Sequence, residues 1–334
     1  MEGAGSILEV APGIIRVTLP VPFEMGGVHV YLLVNGDGII MVDCGPRMPG
    51  TLEALDAALR GLGASWDRLQ GLVLTHWHMD HAGNAGEVRR RSRCWVAIHE
   101  KDAAESARYH RDPEGMLGDI PFFRSLGMSE QMARQLAEAP SAFKAMAEDF
   151  PVDRPARDAD CLHLGQRSFR VVWTPGHTRG HLCLLEETPG VVLVGDHILD
   201  PVTPNISFLP GMVNPLGDYR ASLHRVSRLT PRRALPAHGG IIERPLERIR
   251  VILEHHSRRE RAVLGAVTTG AETVAEVARA LFGDDHPPLT WRLALLEALS
   301  HIEALVAAGD LERIQQAPLR LYQVPGGRGE PARP

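Results

Sequence analysis

Six consecutive residues, His76-Trp77-His78-Met79-Asp80-His81, limit what this chain can fold into more than any other stretch. They place three imidazoles and a carboxylate directly after Gly71–Thr75 (GLVLT), a short apolar run that reads as a buried strand. Polar groups this dense beside a core persist only where something satisfies them, and imidazole and carboxylate are ordinary ligands of zinc and of harder divalent ions. Alternation at a strand end puts His76 and His78 on one side, while Asp80 and His81 lie past the turn. One segment can thus serve two neighbouring metals.

Three later runs end the same way. Val171–Thr174 leads into Pro175-Gly176-His177, Val191–Gly195 into Asp196, and Ala234–Ala237 into His238-Gly239-Gly240. Glycine beside each of these ligands lets the backbone approach closely. A binuclear site on a sheet scaffold needs ligands delivered from several strand ends to one rim, and most of the 16 histidines sit in such recognisable contexts.

Hydrophobic patterning supplies the frame. Ile14–Leu19, Val28–Val34 and Ile39–Asp43 read as strands, with Asn35-Gly36-Asp37-Gly38 as a hairpin turn. Thr51–Leu62 has helical apolar spacing, Ala82–Arg91 reads as helix and Cys94–His99 as the next strand. Residues 101–150 break the rhythm with helix formers, Met116, Met128, Met132 and Met146, and Phe122, Phe123, Phe143 and Phe150. Strands resume at Phe169–Thr174, Leu182–Glu186 and Val191–Gly195, followed by helix Pro215–Leu229, strand Ala234–Pro236 and helix Arg244–Val267. After these come a short helix (Glu272–Leu281), a longer one (Trp291–Ala308) and a hairpin of Leu311–Ile314 with Leu319–Val324, the outline of a winged helix. The expected division is a catalytic domain over 1–262 with a helical insertion at about 101–150, a winged-helix-like domain over 263–324, and a disordered tail over 325–334.

His76, His78, Asp80, His81, His177, Asp196 and His238 resemble, in order and spacing, the ligand set of the metallo-β-lactamase superfamily of binuclear hydrolases, over about Ile14 to His256. The resemblance implies an α/β (α+β) fold, an αββα sandwich with the metals at one edge. It also implies two divalent metal ions, zinc first, with iron or manganese fitting the same ligands. By this resemblance His76, His78 and His177 hold the first metal. Asp80, His81 and His238 hold the second, and Asp196 bridges them. Two such metals lower the pKa of a bridging water, one polarises the scissile oxygen, and Asp80 both ligates and orients the hydroxide. True β-lactamases commonly carry Cys where this chain has Asp196. The full set is closer to the glyoxalase II, lactonase and ribonuclease-like branches, and the C-terminal unit resembles the β-lactamase-like-protein-2 branch.

Other side chains join this reading. Asp43 and His181 are expected to support ligands from behind, and His197 and Tyr219 are candidates for the substrate side. Cys44, Cys94, Cys161 and Cys183 form no CxxC pair and read as free thiols in a reducing cytoplasm. No apolar run approaches the roughly 20 residues of a membrane span, and Met1–Val10 carries no secretory pattern. The apolar insertion reads first as a lid over the metal edge and second as a homodimer contact.

Charge separates the function classes. The chain carries 36 Lys+Arg against 41 Asp+Glu, a net charge of −5. Between Ala262 and Val324 four basic side chains (Arg279, Arg292, Arg313, Arg320) face eight acidic ones, a net of −4. Phosphate backbones are held by clustered Lys and Arg, so a nucleic-acid partner is disfavoured, and the dense run Arg89, Arg90, Arg91 and Arg93 reads as a solvated helix face. The expectation is a metal-dependent hydrolase of a small or medium carboxylic ester, thioester or lactone. The alternatives are an endoribonuclease or phosphodiesterase of the same superfamily and, behind that, a nucleic-acid-binding regulator.

Overall fold

The computed structural model describes residues 5–22, 26–36, 38–111 and 119–326. Asp37 of the expected turn, Met116 of the insertion and residues 327–334 of the expected tail lie outside the described residues. Contacts divide the chain into two units, and the first comprises residues 1–111, 143–204 and 221–249.

Two sheets form the first unit. One has seven strands in sequence order: β1 (Ile7–Ala11), β2 (Ile14–Leu19), β3 (Val28–Asn35), β4 (Gly38–Val42), β5 (Leu69–Val73), β6 (Trp95–Ile98) and β7 (Arg154–Pro155). It is antiparallel as far as β4 and parallel from β4 to β7. The other has the order β12-β11-β10-β9-β8, built from β8 (Cys161–Leu164), β9 (Arg167–Trp173), β10 (Leu182–Glu186), β11 (Val191–Gly195) and β12 (Arg233–Pro236). Its β11–β12 pair is parallel.

The period of two along each strand sorts side chains between layers. On β3, Tyr31 and Leu33 join β4 Ile40 and Val42, and Phe169, Val171, Leu182, Leu184 and Leu193 of the second sheet, in one cluster between the sheets. Val28, Val30 and Leu32, with Ile39 and Met41, face the other way, against Leu55, Ala58 and Leu59 of α1 (Thr51–Gly61) and Ala85 and Val88 of α3 (Ala85–Ser92). Because β4, β5, β9, β11 and β12 all end toward one edge, the loops that follow them become neighbours, and those loops carry the polar residues singled out in the sequence.

The second unit comprises residues 112–142, 205–220 and 250–334. It holds α5 (Ile120–Ser125), α6 (Glu130–Glu138), most of α8 (Pro245–Thr268), α9 (Val274–Phe282), α10 (Pro288–Ala308) and the hairpin β13 (Glu312–Gln316) with β14 (Leu319–Gln323). A capping box of Thr273 and Glu276 starts α9. Pro288 opens α10, and Gly309, at φ 84°, closes it.

This corrects the division drawn at 262/263. The reason lies in the insertion: Phe123, Leu126, Met128 and Leu136 share one apolar cluster with Val274, Val277, Trp291, Leu295 and Leu299. Phe123 and Met128 of the apolar insertion are buried in that core, and Phe122 and Met132 pack against it. The first helix of the expected insertion, α4 (Glu100–Arg111), belongs instead with the sheets.

Candidate metal centre

The ligand loops follow strand ends. β5 runs through Leu74 and Thr75 into His76, His78 precedes the single turn α2 (Met79–Ala82), and Asp80 and His81 lie within that turn. β9 delivers His177, β11 delivers Asp196 and β12 delivers His238. Gly195 has φ 49°, and a Cβ there would stand 2.8 Å from both His181 Nε2 and Thr75 Oγ1. Only glycine lets β11 turn this close to the histidines.

Three imidazole nitrogens meet at one point. His78 Nδ1 lies 3.0 Å from His76 Nε2 and 3.0 Å from His177 Nε2. Nitrogens about 2.05 Å from a tetrahedral ion would stand about 3.3 Å apart, so the spacing fits one divalent ion. On the far side, Asp80 Oδ2 is 3.3 Å from His238 Nε2 and 3.6 Å from His81 Nε2. Asp196 stands between the groups: Oδ2 is 3.5 Å from His177 Nε2 and 3.6 Å from His81 Nε2, and Oδ1 is 3.7 Å from His238 Nε2. Metal-competent groupings thus form as His76/His78/His177, His76/His81/Asp196 and Asp80/His81/His238.

Partners behind the rings aim their lone pairs inward. Asp43 Oδ2 accepts from His81 Nδ1 at 2.9 Å, and its oxygens also accept from Thr75 N at 2.7 Å and Thr75 Oγ1 at 2.8 Å. Having donated to Asp43, Thr75 Oγ1 accepts from His76 Nδ1 at 3.1 Å. His238 Nδ1 donates to Gly27 O at 2.8 Å. Each of these three rings therefore keeps Nε2 for the centre, the usual arrangement behind a metal-bound histidine. His81 Nε2 and Asp196 Oδ1 are buried with no hydrogen-bond partner among the described residues. Orphaned atoms of this kind, in a set of imidazoles and carboxylates, are what a pair of divalent ions would satisfy.

The electrostatics agree. Burial first, and then the neighbouring imidazoles, hold His76 well below the ordinary histidine range, and burial and His177 bring His78 to about 3. Burial opposes charge on both carboxylates, but His81 and His238 overcome it and keep Asp80 and Asp196 ionised. Neutral imidazoles and charged carboxylates are the metal-binding forms, and Asp196 and Asp80 raise His81 and His238 against burial, so cations bound there would take the place of the protons these two rings otherwise attract. His78, Asp80 and His177 are only half-buried and make the open side, whereas His76, His81, Asp196 and His238 are buried.

Of the remaining sequence candidates, His181 accepts from Asp196 N at 3.1 Å on Nε2 and meets Thr174 Oγ1 at 2.8 Å through Nδ1, so it fixes the backbone of the bridging aspartate. His197 is fully buried beside His181, with ring centroids 5.9 Å apart, which removes it from the substrate side. Tyr219, on α7 (Pro215–Arg228), is fully buried with its ring edge-on to His256 at 5.5 Å. Sequence reasoning missed Asp102, a buried carboxylate on α4 that accepts from Thr178 Oγ1, Gly180 N and Trp77 N. Burial pushes it up to about 7 despite these donors. It stands in Glu100-Lys101-Asp102, which reads as an exposed charged helix start, and nothing local marks it.

Fold and site together define a metal-dependent hydrolase. The family model of the metallo-beta-lactamase superfamily matches residues 24–238, and the chain belongs to that superfamily. It is similar to a metallo-beta-lactamase family protein of known structure from Thermus thermophilus, with a TM-score of 0.83 and 29% identity over 95% of this chain and 100% of that one. It is 27% identical over 278 residues to a beta-lactamase-like protein 2 homolog from Caenorhabditis elegans, covering 83% of this chain and 77% of the relative. It is 24% identical over 287 residues to the atrochrysone carboxyl ACP thioesterase of Aspergillus fumigatus, covering 82% and 74%.

Proposed function

We propose that this chain binds two divalent ions, zinc by preference, and hydrolyses a small or medium carboxylic ester, thioester or lactone. The observation that carries the reading is the convergence of seven imidazole and carboxylate ligands, three of which, His76, His81 and His238, already have their outer nitrogens engaged. Metals bound there supply Lewis acidity for the scissile oxygen and a water acidic enough to attack near neutral pH. Asp80, at the open side, would help hold the second ion through Oδ2 and orient the attacking water. His81, fixed by Asp43, and His238, fixed by Gly27 O, hold that carboxylate in place. No side-chain nucleophile is needed. Burial raises the thiol of Cys44 well above its ordinary range and that of Cys183 to about 12.

The choice of acyl over phosphodiester substrates rests on the arginines. Arg89 pairs with Asp153, Arg90 with Glu87 and Glu148, and Arg91 with Glu87. In the second unit Arg279 pairs with Asp284, Arg292 with Asp119 and Arg313 with Glu303, and Arg320 lies over the Phe122 ring. Arginines already paired with carboxylates, as all of these but Arg320 are, are poor candidates to track a phosphate backbone. The thioesterase among the relatives favours the same chemistry. The four free thiols suit a reducing cytoplasm, and no helix among the described residues is long and apolar enough to cross a membrane.

Metal-quantified enzyme assayed on p-nitrophenyl esters, acyl thioesters, lactones, bis(p-nitrophenyl) phosphate and single-stranded RNA tests the reading. Turnover is expected on an acyl substrate and little on RNA. Efficient metal-dependent RNA cleavage with no acyl activity would replace this reading with the ribonuclease.

A further inference from the structure

The first metal grouping takes two ligands, His76 and His78, from the loop after β5 and the third, His177, from the loop after β9. These loops hang from different sheets, so something must set the gap between them. Asp102 is fully buried on the first turn of α4 and touches both. Its Oδ2 accepts from Trp77 N, between His76 and His78, at 3.2 Å, and from Thr178 Oγ1, next to His177, at 2.6 Å. Its Oδ1 accepts from Gly180 N at 2.5 Å, and a Cβ on Gly180 would stand 2.6 Å from that oxygen, so glycine is required for the approach. Farther along α4, Glu105 accepts from Arg179 Nη1 at 3.1 Å, a second tie to the His177 loop.

We propose that Asp102 is a positioning residue for the first metal: one carboxylate clamps the His76–His78 loop to the His177 loop and so fixes the spacing of their three imidazoles. It touches no ligand ring. It acts through the backbone on either side of the ligands, which separates it from Asp43, whose oxygen holds His81 directly. Asparagine offers one acceptor oxygen and one amide donor, so it keeps the Gly180 bond or the Trp77 bond but not both. Alanine keeps none of the three.

The inference rests on the two-metal reading, and its test separates the two. Full-length wild type, Asp102→Ala, Asp102→Asn and Thr178→Val are titrated with Zn2+ against a chromophoric chelator, and unfolding of each metal-free protein is recorded. Wild type is expected to bind two equivalents. Asp102→Ala should lose about tenfold or more in affinity for one equivalent and keep the other, as loss of outer partners does in metal sites. Asp102→Asn should fall between, and Thr178→Val should weaken the same equivalent by a few-fold. Equal loss of both equivalents, or a folded Asp102→Ala with wild-type affinity for both, overturns the clamp. Should Asp102→Ala fail to fold, unchanged affinity in Thr178→Val overturns it instead. A wild type that binds no zinc removes the two-metal reading itself.

Discussion

Histidines gather in both units of this chain, and the two gatherings are built oppositely. In the first unit, His76, His78, His81, His177 and His238 come from strand-end loops, and each ring whose outer nitrogen is fixed turns its remaining lone pair toward the others, with Asp80 and Asp196 among them. In the second, His301 Nδ1 on α10 donates to Glu297 O at 2.9 Å, and His301 Nε2 then accepts from His256 Nδ1 on α8 at 3.1 Å. There the lone pair of one ring is consumed by the next. Among the described residues, every grouping of three or more convergent ligand atoms lies in the first unit. Histidine abundance therefore says little by itself; what counts is whether the outer partners leave several lone pairs facing one point.

Breaking the first gathering should have the largest effect. Asp80→Asn and, separately, His238→Ala are expected to lower turnover by about a thousandfold or more, the several kcal/mol that metals contribute to such reactions. Thermal unfolding of the metal-free protein should be nearly unchanged. His301→Gln should leave turnover within about twofold. Near-wild-type rates in either metal-site variant on a confirmed substrate contradict the site.

Phe123→Ala comes next. Its ring is fully buried in the second unit's core, so truncation should cost about 3–5 kcal/mol in denaturant unfolding. KM for acyl substrates should not move. A KM effect without destabilisation would assign this ring to a lid instead of the core.

The third prediction is the share of the pH dependence that the second gathering carries, read as the difference between wild type and His301→Gln. Burial first, and then the positive groups around them, bring His256 to about 2 and His301 to about 4; His255, Arg220 and Arg259 face this pair. A lowered histidine pKa means the fold prefers the neutral ring. Its contribution is complete above about 6.5, the unfolded value, and is lost as pH falls from there toward about 4. Each ring should add a slope of about 1.4 kcal/mol per pH unit in that window. Chemical denaturation of wild type and His301→Gln at several pH values checks this, and equal slopes would refute it. The smallest effect belongs to Arg89→Gln, which removes an exposed pair with Asp153 and should leave both the unfolding midpoint and the activity essentially unchanged.

The ligands were legible in the sequence because strand-end chemistry is local. An apolar run followed by His or Asp, with Gly alongside, announces both the element and the group it delivers, as at Val191–Gly195 before Asp196. The β3–β4 hairpin was legible for the same reason, since alternation and turn residues act within a few positions. What stayed hidden depends on which distant surfaces meet. Met128 and Phe123 announce only that they must be buried, not that α9 and α10 bury them. Asp102 looks like a solvated charge until the fold places Trp77, Thr178 and Gly180 around it. The tautomers of His76, His81 and His238 likewise depend on Thr75, Asp43 and Gly27, two of which lie more than thirty residues from the ring they hold.

The contrast between the two gatherings is tested most directly by counting metal. Elemental analysis of the full chain, purified without chelator, should give close to two equivalents, and His301→Gln should retain both. A reproducible value of one that added zinc does not raise, or a loss of metal in His301→Gln, would contradict the account.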